Sequence, residues 1–110
     1  MTPDPAVIQA FDALAERLAR PEAWIQGTYA RNVLGFASGI SDSDATCWCL
    51  TGALRLTPCP EYRVVQSHLL LAIQPFVTLV SWNDRPGRSH PEVLALIAAA
   101  KAAYLAGGQP

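Results

Sequence analysis

Apolar residues recur every three or four positions in the first twenty residues, as they do along the buried face of an amphipathic helix. The members of this face are Val7, Phe11, Leu14, Ala15 and Leu18. Asp4 and Pro5 provide a capping acceptor and a first helical residue with a suitable φ angle, and Pro21 ends the pattern. The pattern predicts a first helix from Pro5 to about Arg20.

The next segment has a different composition. Between Trp24 and Ser38 it is rich in Gly, Thr, Tyr and Val, and Asn32 to Gly35 is typical of a turn. These features predict a short β-hairpin.

A second helix is predicted from about Asp42 to Leu56. Ser41 to Asp44 place short acceptors and negative charge where a helix begins. At 100° per residue the apolar positions fall on two opposite sides, one with Ala45, Trp48, Cys49, Gly52, Ala53 and Leu56, the other with Cys47, Leu50 and Leu54. We therefore expect this helix at the centre of the fold. Because Gly costs a helix up to about 1 kcal/mol relative to Ala, Gly52 indicates that another backbone crosses closely there.

Two further helices follow in the second half of the chain. Pro60 to Gln74 predicts the third, with Tyr62, Val65, His68, Leu69 and Ala72 on or beside one face. Ser89 and Glu92 have the spacing of a capping box and begin a fourth helix that continues to about Ala106. Phe76 to Trp82 is too short to assign to a strand or a helix, and Asn83 to Arg88 predicts a loop.

Together these elements predict a mainly α fold, a compact four-helix domain with a small β-hairpin between helices one and two. We expect a single domain over residues 1–110, with frayed ends at about 1–3 and 107–110.

Composition narrows the function classes. The chain of 110 residues is 51% hydrophobic and 15% charged, which argues against disorder, and its net charge of -1 disfavours nucleic acid as a partner. It contains no basic and apolar leader and no apolar stretch of membrane-spanning length, so we expect a cytoplasmic protein without a membrane partner. An odd count of three Cys favours reduced thiols.

Cys47, Cys49, Cys59 and His68 match none of the usual zinc spacings, so we expect no metal. Phosphate loops, zinc-protease helices, nucleophile elbows and calcium loops are also absent from the sequence, and we expect no cofactor.

Three short segments carry a family resemblance. They are Trp24-Ile25-Gln26-Gly27, Cys49-Leu50-Thr51-Gly52-Ala53, and Trp82-Asn83-Asp84 followed by Pro86-Gly87-Arg88. In this order and at these separations they resemble unknown function family 6197, small proteins of bacteria and their phages. The resemblance covers the chain from helix one to about Ala103 and implies no activity.

Cys47 is the sharpest catalytic candidate. A predicted position near a helix N-terminus favours a thiolate, and a papain-type nucleophile likewise precedes an aromatic residue. A cysteine-dependent hydrolase or acyltransferase would need His90 or His68 as its base and Asn83 or Asp84 to orient that base. The alternative is that Cys47 and Cys49 are small packing residues, and we favour it because the two-sided apolar pattern predicts burial.

The remaining candidates are binding residues. Trp82, Asn83, Asp84, Arg85 and Arg88 form either a recognition loop or an ordered turn around a packed aromatic ring. Trp24, Tyr29, Arg31 and Phe36 would lie on or near the hairpin. If the hairpin is exposed, its aromatic and Arg side chains suit a partner, and if it folds over helix two, the same residues close the core.

The leading hypothesis is therefore a non-enzymatic accessory or protein-interaction module, with a phage association implied by the resemblance. A thiol enzyme built on Cys47 and a DNA-associated regulator are the alternatives. The sequence does not determine the oligomeric state, and a homodimer is among the alternatives.

Overall fold

The computed structural model describes residues 2–107, which form a mainly helical fold with one small antiparallel sheet. In chain order the elements are α1 (Pro5–Arg17), a single 3₁₀ turn (Pro21–Ala23), β1 (Ala30–Asn32), β2 (Ala45–Trp48), α2 (Leu50–Leu54), α3 (Glu61–Leu71), α4 (Leu79–Asp84) and α5 (His90–Leu105). The expected mainly α class is confirmed. The expected count of four helices is wrong, because the described residues contain five α-helices.

The core lies where α1, α3 and α5 pack against one another. It is built from apolar side chains that the helical periodicity predicts, among them Phe11, Leu14, Val65, Leu69, Val93 and Ile97. α2 packs on α4, and both complete one side of this core.

Two predicted helix starts are confirmed. The carboxylate of Asp4 accepts a hydrogen bond from the amide of Ala6 at 2.8 Å. At α5, the Ser89 amide donates to Glu92 Oε1 at 2.9 Å, and the Ser89 hydroxyl lies 3.0 Å from the same oxygen. The predicted frayed ends overlap Met1 and residues 108–110, which lie outside the described residues.

The predicted second helix, from Asp42 to Leu56, is wrong over its first half. Ala45–Trp48 is strand β2, and only Leu50–Leu54 is helical. Thr46 and Trp48 favour extended backbone, and Ala45, Cys47 and Trp48 pair with β1, with Thr46 at an irregularity in the ladder. Asp42 ends a turn instead of starting a helix, because its carboxylate accepts from the amide of Gly39 at 2.7 Å.

The predicted hairpin is correct in its turn and wrong in its partner. Gly35 has a φ of +86°, and its amide donates to the carbonyl of Asn32 at 2.9 Å. However, β1 pairs with β2, with Ala30 opposite Trp48. The chain after the turn pairs with β1 only at an isolated bridge between Arg31 and Ala37. The sheet thus lies between α1 and α2, as expected, but its second strand comes from the region assigned to a helix.

The prediction that a backbone crosses Gly52 is confirmed. A Cβ atom at Gly52 would lie 2.2 Å from the carbonyl oxygen of Tyr29, the residue that precedes β1. That carbonyl also accepts from the amide of Cys49 at 3.2 Å. Gly52 therefore fixes the distance between the sheet and α2.

The segment left unassigned in the sequence, Phe76 to Trp82, contains a turn and most of α4. Thr78 caps this helix by accepting from the amide of Ser81 at 3.0 Å. Asn83 and Asp84, which the sequence assigns to a loop, form its last turn, and only the residues that follow are a loop.

Among the helices of residues 2–107, none combines the length and apolar character needed to cross a bilayer.

Candidate functional site

The three segments that carry the family resemblance meet around the side chain of Asn83. Its Oδ1 accepts from the indole Nε1 of Trp24 at 2.6 Å and from the amide of Leu50, the first residue of α2, at 3.0 Å. Its Nδ2 donates to the carbonyl of Ile25 at 3.1 Å and to Asp84 Oδ1 at 2.9 Å. Asn83 is fully buried, and all four of its hydrogen-bonding positions are used.

Two neighbours of Asn83 strengthen the same connection. Gln26 Nε2 donates to the carbonyls of Asn83 at 2.8 Å and Arg85 at 3.0 Å. The carboxylate of Asp84 accepts from the amide of Gly27 at 3.0 Å. We call the set of Trp24, Gln26, Asn83 and Asp84 the polar joint, because it fastens residues 24–27 and α2 to the end of α4.

Arg88 extends this arrangement to α5. Its Nε donates to the carbonyl of Trp82 at 2.9 Å, its Nη1 lies 2.8 Å from Glu92 Oε2, and its guanidinium lies 3.9 Å from the centre of the Trp82 ring. The side chain is only 9% exposed. The Arg88 guanidinium is therefore bonded to a carboxylate and a carbonyl of its own chain.

The hydrogen bonds at the start of α5 favour the anionic form of Glu92. The amide and hydroxyl of Ser89, and then Arg88, hold the pKa of its carboxyl below the usual range for Glu. The anion is the form that completes the capping box of α5.

Cys47 and Cys49 are buried, and they lie in different secondary-structure elements from the single helix that the sequence predicts. Cys47 is buried in β2, where its Sγ donates to the carbonyl of Arg31 at 3.8 Å. Cys49 is the N-cap residue of α2, and its Sγ accepts from the amide of Gly52 at 3.3 Å. Burial raises the pKa of the Cys49 thiol, although the amides of Gly52 and Thr51 oppose the increase. The helix-capping thiol is thus Cys49, and it is kept protonated.

The two candidate bases have other partners. His90 Nε2 lies 2.6 Å from the carbonyl of Leu18, and His68 Nδ1 lies 2.9 Å from the carbonyl of Val64 in its own helix. His68 also packs edge-on against Phe11 and Tyr104. The structure does not place either imidazole in hydrogen-bonding contact with Cys47, and Asp84 is occupied in the polar joint.

Cys59 is exposed, unlike the other two thiols. Within residues 2–107, no group of three His, Cys, Asp or Glu side chains could hold a metal ion.

Three of the predicted binding residues, Tyr29, Arg31 and Arg85, belong neither to the polar joint nor to the contact between Arg88 and Trp82. Tyr29 is partly exposed beneath the guanidinium of Arg55, which lies 4.8 Å from its ring centre. Arg31 donates from Nη1 to the carbonyl of Gly35 at 3.0 Å, and Arg85 is exposed. Binding roles for these residues stay predictions.

Of the exposed apolar residues on the ribbon formed by β1 and the turn after it, the sequence singles out Phe36 as a binding candidate but not Val33 or Leu34. Val33 is 83% exposed, Leu34 75% and Phe36 67%. We call residues 33–36 the ribbon tip. The signal at Val33 and Leu34 is a short apolar run beside turn residues. Such a run also fits the buried end of a strand when no partner strand is assigned.

The ribbon tip is held in one shape by Asn32 and Arg31. Asn32 Oδ1 accepts from the amides of Leu34 at 3.0 Å and Phe36 at 3.1 Å, and the Asn32 amide donates to the carbonyl of Phe36 at 2.9 Å. Arg31 bonds the carbonyl of Gly35. A five-residue turn thus holds exposed apolar side chains in fixed positions.

Comparison with known proteins gives one match. Neither the curated proteins nor the solved structures match the chain. A family model described as a family of unknown function (DUF6197) matches residues 2–103, which include all three segments of the polar joint and confirm the resemblance. The chain belongs to this family of unknown function, DUF6197.

Proposed function

We propose that this protein is a non-enzymatic accessory protein that binds another protein through its ribbon tip. The observation that carries the proposal is the exposure of Val33, Leu34 and Phe36 side by side on a turn held by hydrogen bonds. Exposed clusters of large apolar side chains are typical of interaction surfaces.

The order of the turn adds to this argument. A loop that is already fixed loses less conformational freedom on binding, so more of its contact energy appears as affinity. Val33, Leu34 and Phe36 offer apolar contact area, and Tyr29 extends it at the base of the ribbon. The partner surface that fits them is an apolar groove on a folded protein.

This proposal moves the binding surface away from the Trp82–Arg88 segment. Asn83, Asp84 and Arg88 use their polar groups within the chain, so replacing them would disturb the fold before it disturbed a partner. Arg85 is the exposed polar side chain of that segment and serves as a comparison position.

A cytoplasmic setting belongs to the proposal. The three cysteines are unpaired, which suits a reducing compartment. Cys47 is buried, and His68 and His90 have other hydrogen-bond partners, so the geometry does not favour catalysis by Cys47.

The test uses a photoreactive phenylalanine analogue placed at position 34 in living host cells. The proposal predicts one discrete adduct from position 34 and none from the same analogue at Ala99, an exposed residue of α5. The adduct partner is then purified, and its affinity is measured for wild type, Leu34→Ser and the matched control Leu71→Ser.

Leu71 is also an exposed leucine, so Leu71→Ser and Leu34→Ser remove the same kind of exposed apolar side chain. We expect at least tenfold weaker binding for Leu34→Ser and unchanged binding for Leu71→Ser. Equal yields of adducts from positions 34 and 99, or equal affinities for all three proteins, would refute the proposal.

A second variant examines the order of the turn. Asn32→Ala keeps every apolar side chain of the ribbon tip but removes the oxygen that accepts from Leu34 and Phe36. We expect weaker binding with faster amide exchange at both residues.

A further inference from the structure

A second feature of the molecule lies apart from the ribbon tip, between α2, α3 and the turn before α4. It is an open cavity of about 460 Å³, lined by Thr51, Gln66, Leu70, Phe76, Val77 and Leu79 among others. This volume falls within the range of small-molecule sites in proteins.

The wall of the cavity contains a polar atom without a partner. Thr51 is 8% exposed, and its hydroxyl oxygen is buried with no hydrogen-bond partner among the described residues. Buried hydroxyls are normally bonded, so an unbonded one is unfavourable in the empty protein. The buried oxygen does not open into the cavity in the empty protein, and a 120° rotation about χ1 would carry it to another staggered position, where it meets a ligand.

The rim of the cavity carries a second unusual residue. Phe76 has a φ of +67°, the left-handed conformation that Gly adopts readily and a bulky side chain does not. Its side chain is fully exposed, at 107%. An aromatic ring held on a strained turn at the mouth of a cavity is placed to cover a molecule that enters.

The chemistry of the lining defines the ligand. No charged residue lines the cavity, so a charged ligand would lose its hydration without gaining an ion pair. The lining is otherwise aliphatic and aromatic, apart from the hydroxyls of Thr51 and Thr78 and the amide of Gln66.

We propose that this cavity binds a small, neutral, mainly apolar molecule with one hydrogen-bonding group, which bonds the hydroxyl of Thr51 while Phe76 covers the apolar end. This inference is independent of the proposed function, because no ribbon-tip residue lines the cavity.

The experiment titrates the full chain with benzyl alcohol and with toluene, two probes that differ by one hydroxyl group, and follows the backbone amides by NMR. For wild type we expect saturable shift changes at Thr51, Leu70, Val77 and Leu79. In Thr51→Val, which keeps the side-chain shape, we expect about fivefold weaker binding of benzyl alcohol and unchanged binding of toluene.

Thr46→Val is the matched control, since Thr46 lies on the exposed side of β2, and both probes should bind it as they bind wild type. Phe76→Ala, which removes an exposed ring and leaves the core intact, should weaken both probes alike. The proposal fails if neither probe gives saturable shifts at the cavity at millimolar concentration, or if Thr51→Val weakens toluene as much as benzyl alcohol.

Discussion

Asn83 shows how one side chain can connect three distant parts of a sequence. An amide has two donors and two acceptor positions, and here each of the four meets a different partner. A carboxylate lacks the donors, and an apolar side chain lacks all four groups. The four hydrogen bonds within the chain therefore explain why residue 83 is an asparagine, and no ligand is needed to explain it.

Replacing this amide should be costly. We expect Asn83→Ala to lower the free energy of unfolding by about 3 kcal/mol or more, because the Trp24 indole, the Leu50 amide and the Ile25 carbonyl lose their buried partner. The exposed neighbour Arg85→Ala should change it by about 0.5 kcal/mol at most. Urea unfolding measures both, and a small effect of Asn83→Ala would show that the joint is dispensable.

Glu92 makes a pH-dependent contribution at the start of α5. Because the pKa of its carboxyl is lower in the folded protein than in the unfolded chain, the anion stabilises folding at pH values above the unfolded pKa of about 4.3. This contribution is lost as the pH falls through the lowered folded pKa. The urea midpoint of wild type should therefore exceed that of Glu92→Gln at pH 7, with the difference shrinking in acid.

A difference between the two proteins that stays constant from pH 7 to pH 2 would contradict this account of Glu92.

At the scale of elements, the close crossing at Gly52 decides how α2 meets the sheet. Two effects oppose each other when Gly52 becomes Ala. Helix propensity favours Ala by about 1 kcal/mol. Packing opposes it, because the new Cβ would lie 2.2 Å from a backbone oxygen that cannot rotate away.

We expect packing to dominate and Gly52→Ala to destabilise the fold by about 2 kcal/mol or more. The sign alone is decisive, and thermal or urea unfolding gives it. A stabilised Gly52→Ala protein would mean that the sheet and α2 are further apart than in this structure.

The sequence predicts the long helices well and the central segment poorly. α1, α3 and α5 have apolar faces repeated over three or more turns and clear end signals such as Asp4 and the Ser89–Glu92 box, so local information suffices. β2 and α2 together span ten residues, and their apolar positions fit a single helix as well as they fit a strand followed by a helical turn. Only the long-range pairing of Ala45–Trp48 with β1 separates the two.

The candidate site shows the same limit. The sequence places Asn83 and Asp84 in one polar segment but leaves open whether this segment recognises a partner or orders a turn, and it assigns Trp24 to the hairpin. That choice depends on contacts across nearly sixty positions, such as Trp24 with Asn83. Burial of Cys47 is predicted correctly from the two-sided apolar pattern, although the element is a strand.

At the scale of the whole molecule, the fold buries Asn83 and two of the three thiols and leaves the ribbon tip exposed. The thiols at Cys47 and Cys49 are buried, whereas Cys59 is exposed. A nucleophile must be reached by its substrate, so the two buried thiols lack the access that catalysis requires.

Limiting iodoacetamide should therefore modify Cys59 first in the native protein. Trypsin separates Cys59 from the other two thiols, since Arg55 lies between Cys49 and Cys59. Fragmentation of the peptide that contains both Cys47 and Cys49 in the mass spectrometer then assigns which of them is labelled. We expect Cys47 and Cys49 to react only after unfolding, with the raised pKa of Cys49 slowing it further. Preferential native labelling of Cys47 near neutral pH would instead support a thiol enzyme.

The most direct measurement is the dissociation constant of the purified partner for wild type, Phe36→Ser and Arg85→Ala. With the ribbon tip as the contact surface, Phe36→Ser weakens binding at least tenfold while its unfolding free energy stays at the wild-type value, and Arg85→Ala binds normally. If Arg85→Ala weakens binding and Phe36→Ser binds normally, the partner contacts the loop after α4, and the account is contradicted.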